Sequence, residues 1–233
     1  MADTNRERWL WWLTVVCAVL MLVAIYMALV QAPSAANVRT ETERYTQRIL
    51  YFHVPSAWVG FLAFFVTLVS SVGYLWQRRR AWDAVALSSV ELGVAFTTAV
   101  LITGSIWAKT AWNTWWTWDP RLTTSAITWA IYLAYLMLRG AVDDPEQRAR
   151  FSAVYGIAGF TSVPITFMAI RWWRTIHPVL FDTSGAGLSA NMMAAFGFCL
   201  GAFTVLYGTL LWHRIRLEFL ADEVHSLSRE LLS

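Results

Sequence analysis

Long apolar runs alternate with short polar punctuation along the whole chain. Six runs can be delimited, at about 9–30, 55–76, 85–107, 120–138, 152–170 and 189–212. A helix of ~20 such residues crosses ~30 Å of hydrocarbon at 1.5 Å per residue, and it satisfies its own backbone groups in lipid. The pattern predicts an all-α polytopic membrane protein with six transmembrane helices, forming a single domain over residues 1–233. Pro55 and Pro120 fall where a first helical turn tolerates a missing N–H. Asp119, just before Pro120, is a predicted N-cap whose charge suits the positive helix end. Pro164 predicts a kink in the fifth run. Beyond the sixth, Leu217, Leu220, Val224, Leu227 and Leu231 recur at helical spacing. They predict a short amphipathic helix over about 214–233.

Composition narrows the class further. Hydrophobic residues make up 58% of the chain and charged residues 14%, against about 25% charged in soluble domains. That excludes a water-soluble enzyme and leaves no room for a separate soluble domain. The first run is longer than the ~7–15 residues of a signal-peptide core, so it is expected to stay as a span. Cys17 and Cys199 lie inside apolar runs, with no CxxC pairing to suggest a thiolate site. The net charge is only +3, and its basic residues sit in short clusters between runs, which fits membrane topology better than nucleic-acid binding. Eleven of the 18 Lys and Arg residues fall on the side that holds both termini. The positive-inside rule therefore places both termini in the cytoplasm. The opposite face keeps Arg39, Arg44, Arg48, Lys109, Arg121, Arg171 and Arg174.

Candidate chemistry gathers on that opposite face. Between the third and fourth runs, the segment 107–123 reads WAKTAWNTWWTWDPRLT and holds five tryptophans: Trp107, Trp112, Trp115, Trp116 and Trp118. Anchoring at a membrane interface takes one or two. The segment reads either as an enlarged aromatic belt or as the seat of a large planar apolar ligand, with Lys109, Asp119 and Arg121 at its edge. Loop parity puts His53 and His177 on the same face, and His213 and His225 on the other. Two imidazoles over an aromatic platform are the donor set that an iron porphyrin takes, whereas zinc prefers three or four ligands in a tighter cluster. Arg121 and Lys109 suit the carboxylates of such a ligand. Glu91, inside the third run, has an expected partner at the interface or on another helix, and no chemical role.

Three motifs stand in order. Tyr51-Phe52-His53-Val54-Pro55-Ser56-Ala57-Trp58 resembles the first external histidine motif of the WWD superfamily of heme-handling proteins in cytochrome c biogenesis. Trp112 to Thr123 (WNTWWTWDPRLT) resembles its tryptophan-rich signature, and Trp172-Trp173-Arg174-Thr175-Ile176-His177 its second histidine motif. Their order, spacing and six-run length together resemble the heme exporter protein C family, also called cytochrome c maturation protein C. The resemblance covers nearly the whole chain. Two departures are visible: Asn113 stands where the family usually has Gly, and Pro120 is not its commonest residue after the Asp. Asn tolerates the left-handed backbone better than most residues, so the turn is expected to survive.

The resemblance implies heme b (iron protoporphyrin IX) held on the periplasmic face of the bacterial inner membrane by His53 and His177 as metal ligands. Trp112, Trp115, Trp116, Trp118, Asp119 and Arg121 are expected to complete the cofactor-binding set. It also implies delivery to a membrane-anchored heme chaperone, cytochrome c maturation protein E. Further implied partners are an ABC-type maturation complex of subunits A and B, the small membrane protein D, and membrane lipid. On this reading the chain is not an enzyme. A heme-translocating transporter subunit would need a polar or ligating path through the bilayer, and no His lies at mid-membrane. A purely structural subunit, with Trp as an interface belt, predicts no bound chromophore.

Overall fold

The structure, a computed structural model, describes residues 2–34, 40–179, 181–182, 185–186 and 188–232, without the side chains of residues 2–7 and of 181–186. Arg39 lies outside the described residues. The described elements are α1 (Ala2–Tyr26, continued by a π-helical turn over Met27–Gln31), α2 (Glu41–Gln47), α3 (Leu50–Gln77) and α4 (Arg80–Trp112). Then come α5 (Pro120–Ala141), α6 (Pro145–Gly159), α7 (Ser162–Trp172), a two-residue antiparallel pair, β1 (Phe181–Asp182) with β2 (Gly185–Ala186), and α8 (Ala190–Leu232). Among the described residues, every other regular element is helical.

Among the described residues, five stretches are long and apolar enough to cross a membrane: Arg8–Gln31, Glu41–Gln77, Arg80–Trp112, Pro145–Trp172 and Ala190–Leu232. The sixth expected span corresponds to α5, which is helical over 22 residues but more polar, carrying Arg121, Thr123, Thr124, Ser125, Thr128 and Arg139.

Several boundaries differ from expectation for identifiable reasons. Helix α3 begins five residues before Pro55, which sits buried inside it. Tight turns at its entry (Tyr51 N–H to Arg48 C=O, Phe52 N–H to Ile49 C=O) make a helical start that needs no proline. His53 is therefore in the first turn of a helix rather than in a loop. The fifth run is interrupted near Pro164, as expected: α6 passes into α7 across Phe160 and Thr161, both still right-handed helical, and Pro145–Trp172 remains one span. Pro164 follows in the first turn of α7, where its missing N–H costs little. The C-terminal amphipathic stretch is not a separate element. Helix α8 runs unbroken to Leu232, with Leu217, Leu220, Val224, Leu227 and Leu231 all exposed.

Helix contacts follow membrane packing rules, in which small residues allow close approach and hydroxyls cross-link neighbours. On α4, Gly93 leaves room for the Phe64 ring of α3; a Cβ there would lie 2.5 Å from it. Phe64 in turn stacks on Tyr132 of α5, with ring centroids 3.6 Å apart. Thr128 of α5 bonds Thr166 of α7 at 2.8 Å, and Thr166 donates to the Thr124 carbonyl at 3.0 Å. Ala24 of α1 and Ala28 of the π-helical turn that continues it pack in one core with Ala195, Cys199 and Ala202 of α8, capped by Tyr51.

The ends of α3, α4, α5 and α8 define two faces. At one, Arg139 and Arg80 both bind Asp83, Arg80 also reaches Glu218 and Asp222, and Arg214 joins Glu91 to Glu218. The carboxylate on α4, Glu91, thus has the helix partner that the sequence leaves open. The candidate site occupies the other face.

Candidate functional site

His53 projects from the first turn of α3 toward α4. Its Nδ1 lies 2.9 Å from Thr103 Oγ1. That hydroxyl has one proton, and it donates it to the Ala99 carbonyl at 2.6 Å. Thr103 is consequently the acceptor, Nδ1 carries the imidazole proton, and Nε2 keeps the lone pair. Gly104 makes space for the ring: a Cβ there would lie 3.0 Å from His53 Cε1. His177 reaches the same state by a different route. Its Nδ1 is 3.0 Å from the Pro178 carbonyl, which can only accept, so the proton again sits on Nδ1 and Nε2 is free to bind. A hydrogen bond that fixes one ring nitrogen as donor leaves the other as the metal-binding atom. Burial first, and then the positive charge of Arg121, hold the His177 imidazole below its ordinary pKa, which favours the neutral form that ligates. Both histidines lie within electrostatic reach of each other and of Arg121.

Arg121 is in the first turn of α5. Its guanidinium donates to the Thr166 carbonyl and lies over the Phe61 ring, 5.6 Å from the centroid. Among the described residues it makes no ion pair, so a half-buried cation beside two imidazoles is left without an acid. Lys109 is differently employed. It caps the end of α4, donating to the Asn113 carbonyl at 3.2 Å and to Asn113 Oδ1 at 3.1 Å. Asn113 itself is left-handed, with φ 56°, so it takes up the conformation that glycine would, and the turn out of α4 survives. Arg171 and Arg174 are exposed on the same face.

Asp119 is only 8% exposed and does not face open space. Its carboxylate caps α5 by accepting the Arg121 N–H at 2.9 Å. It also accepts the Thr175 hydroxyl at 2.7 Å and the Ile176 N–H at 2.9 Å. Burial raises its pKa, but the Thr175 hydroxyl and the Ile176 and Arg121 amides outweigh this and hold the carboxyl below its usual range. The tryptophan-rich segment and the His177 loop, 56 residues apart in sequence for the Asp119–Thr175 pair, are thus tied at one carboxylate.

The indoles divide into two groups. Trp112, the last residue of α4, packs edge-on against Trp107, with centroids 5.1 Å apart. Trp116 and Trp118 form a second edge-to-face pair at 6.0 Å, while Trp115 and Trp118 are 59% and 83% exposed. Trp116 and Trp118 line an open apolar cleft of about 430 Å³ with Leu101, Thr123, Ile127 and Trp129. None of His53, His177 and Arg121 lines that cleft; the two imidazoles with free Nε2, and Arg121 with no ion pair among the described residues, are the groups that would hold a metalloporphyrin's iron and a carboxylate. The remaining histidines are at the other end of α8: His213 Nε2 bonds Thr14 at 2.9 Å, and His225 Nδ1 donates to the Ala221 carbonyl.

Residues 2–230 match the family described as heme exporter protein C. The chain belongs to that family. Among its curated relatives, the heme exporter protein C of Bradyrhizobium diazoefficiens is 33% identical over 93% of this chain and 81% of its own length. That of Haemophilus influenzae is 31% identical over 76% of this chain and 72% of its own length. That of Paracoccus denitrificans is 32% identical over 74% and 73% respectively. Membership implies a role in heme handling for cytochrome c biogenesis, carried out by an all-helical membrane protein. Of the residues singled out in the sequence, His53, His177, Asp119 and Arg121 converge around one end of the heme exporter bundle. Trp112 and Lys109 are engaged by their own helix. Sequence reasoning missed Thr103, Gly104 and Thr175, of which only Thr175 carried a local signal, standing two residues before His177.

Proposed function

We propose that this heme exporter protein C holds heme b on the periplasmic face of the inner membrane and presents it to the heme chaperone, cytochrome c maturation protein E. His53 and His177 would supply Nε2 to the iron. Arg121 meets a propionate, and Trp115, Trp116 and Trp118 cover part of the macrocycle, where an aromatic contact contributes on the order of 1 kcal/mol beyond burial. Trp112 supports that surface by packing on Trp107. The chain crosses the membrane six times with both termini in the cytoplasm. The ABC-type subunits A and B and the small protein D are its expected companions. Its own chemistry is positioning and handover, not catalysis.

The observation that carries the reading is the pair of imidazoles, each with Nδ1–H donating to a fixed acceptor and Nε2 free, within reach of an arginine that has no ion pair among the described residues. Its test is direct. Protein purified in detergent should carry heme, and mixing with the chaperone should move that heme onto it. A purified protein with no heme absorption under heme-replete growth contradicts the reading. For orientation, reporters fused near Lys109 or Asp182 should read periplasmic, and reporters near Arg79 or Asp144 cytoplasmic.

A further inference from the structure

Resting on the proposed heme site, a second role emerges from the carboxylate that seals the tryptophan-rich segment. We infer that Asp119 is a positioning residue: it sets His177 over the site by clamping the turn 175–177 to the N-terminus of α5, and it does not touch the ligand itself.

The carboxylate takes three donors from the protein. It accepts the Arg121 amide, the Ile176 amide and the Thr175 hydroxyl. Thr175 Oγ1, having given its proton to Asp119, accepts the His177 N–H at 3.0 Å. The hydroxyl is therefore a relay, with Asp119 on one side and the backbone of His177 on the other. Three successive residues of the loop hang from one side chain. With Asp119 buried, its oxygens serve the N-terminus of α5 and the 175–176 turn.

The loop needs such a clamp. Helix α7 ends at Trp172, and the next helix starts only at Ala190. Between them, Trp173, Arg174 and Ile176 are exposed, so apolar burial does little to fix the turn. Hydrogen bonds to an ionised acceptor are about twice as strong as neutral ones. They are also well suited to a ligand that must be held in a definite place, since iron ligation demands an imidazole placed to within a fraction of an ångström. The same carboxylate caps α5, whose next residues include Arg121. One group thereby fixes the relative placement of the arginine and the second imidazole.

The inference separates from a direct ligand contact by coupling. Asp119→Ala should convert part of the bound heme from six-coordinate low-spin to five-coordinate high-spin, and added imidazole should reverse it. Thr175→Val, which leaves the helix cap intact, should act in the same direction, and Thr175→Ser should restore the wild-type spectrum. In a His177→Ala background, Asp119→Ala should leave the affinity for added imidazole unchanged and weaken heme retention by a much smaller factor than in wild type, the remainder passing through Arg121. If it weakens heme in that background by the same factor as in wild type, Asp119 touches the ligand and the inference is overturned.

A second readout needs no heme. In heme-free protein, the Ile176 and His177 amides should exchange on the order of tenfold faster in Asp119→Ala, from loss of charge-assisted hydrogen bonds. Unchanged amide exchange overturns the clamp whether or not heme binds. Faster exchange with an unaltered heme spectrum overturns the positioning role. A wild-type protein that binds no heme counts against the proposed function, and amide exchange still decides the clamp.

Discussion

The two ends of the helical bundle treat their charges in opposite ways. At the end carrying both termini, Asp83 and Arg139 bury side chains only 7% and 9% exposed, yet they answer one another, and Arg80 adds a second cation. Arg214 bridges Glu91 and Glu218. At the other end, Arg121 is half-buried over Phe61 with no acid to meet it among the described residues, two imidazoles offer free nitrogens, and Trp115 and Trp118 stand exposed. A buried ion that lacks a partner is costly. The paired end therefore reads as architecture, and the unpaired end as a place built to be completed by something else. What the comparison teaches is that function here is legible as unfinished electrostatics.

The largest effect should come from breaking the finished end. Asp83→Ala leaves Arg139 buried without its carboxylate and should destabilise the fold by about 3–5 kcal/mol. It would be seen as a lowered unfolding midpoint in detergent, with the heme spectrum of the surviving folded fraction unchanged. A mild change in midpoint would mean that the Asp83–Arg139 pair is not the structural element described.

Replacing Trp115, Trp116 and Trp118 together by Ala should act on handover more than on holding. Each indole contributes on the order of 1 kcal/mol beyond burial, and the iron–imidazole bonds persist without them. Chaperone loading should fall steeply while most of the heme absorption on this protein remains. Wild-type loading would make the tryptophans an interfacial belt.

Arg121→Gln should be the gentlest on the fold. Removing a cation that has no acidic partner relieves a desolvation penalty, so the unfolding midpoint should hold or rise slightly. Heme should nevertheless dissociate more readily, as one propionate contact is lost. A drop in stability comparable to that of Asp83→Ala would erase the contrast between the two ends.

How far the sequence carried these conclusions depends on the range of the interaction. Local rules worked: Asp119 caps α5, Asn113 takes the left-handed turn, and the apolar runs are helices. Loop parity brought His53 and His177 to one face because alternation of spans is a topological rule. Boundaries set by tertiary contact were less legible. Helix α3 starts before Pro55 because the turn at Arg48 to Phe52 feeds it, and α8 continues past His213 because Glu218 and Asp222 are held by Arg80. The residues that orient the ligands were invisible. Thr103 and Thr175 are ordinary threonines until α4 is laid against α3 and the last loop against α5. Asp119 reads as a cap from sequence, and only the fold shows it gripping a loop 56 residues away.

The claim at the centre of this account is that His53 and His177 both ligate the iron, and absorption and spin-state spectra of the single variants test it most directly. Wild-type protein should show six-coordinate, low-spin heme. His53→Ala and His177→Ala should each open one coordination position, visible as high-spin heme that returns to low-spin on adding imidazole. His213→Ala and His225→Ala should match the wild type, since those rings lie at the opposite end of α8 and are bonded to Thr14 and Ala221. Four variants with the same spectrum would contradict the bis-histidine site.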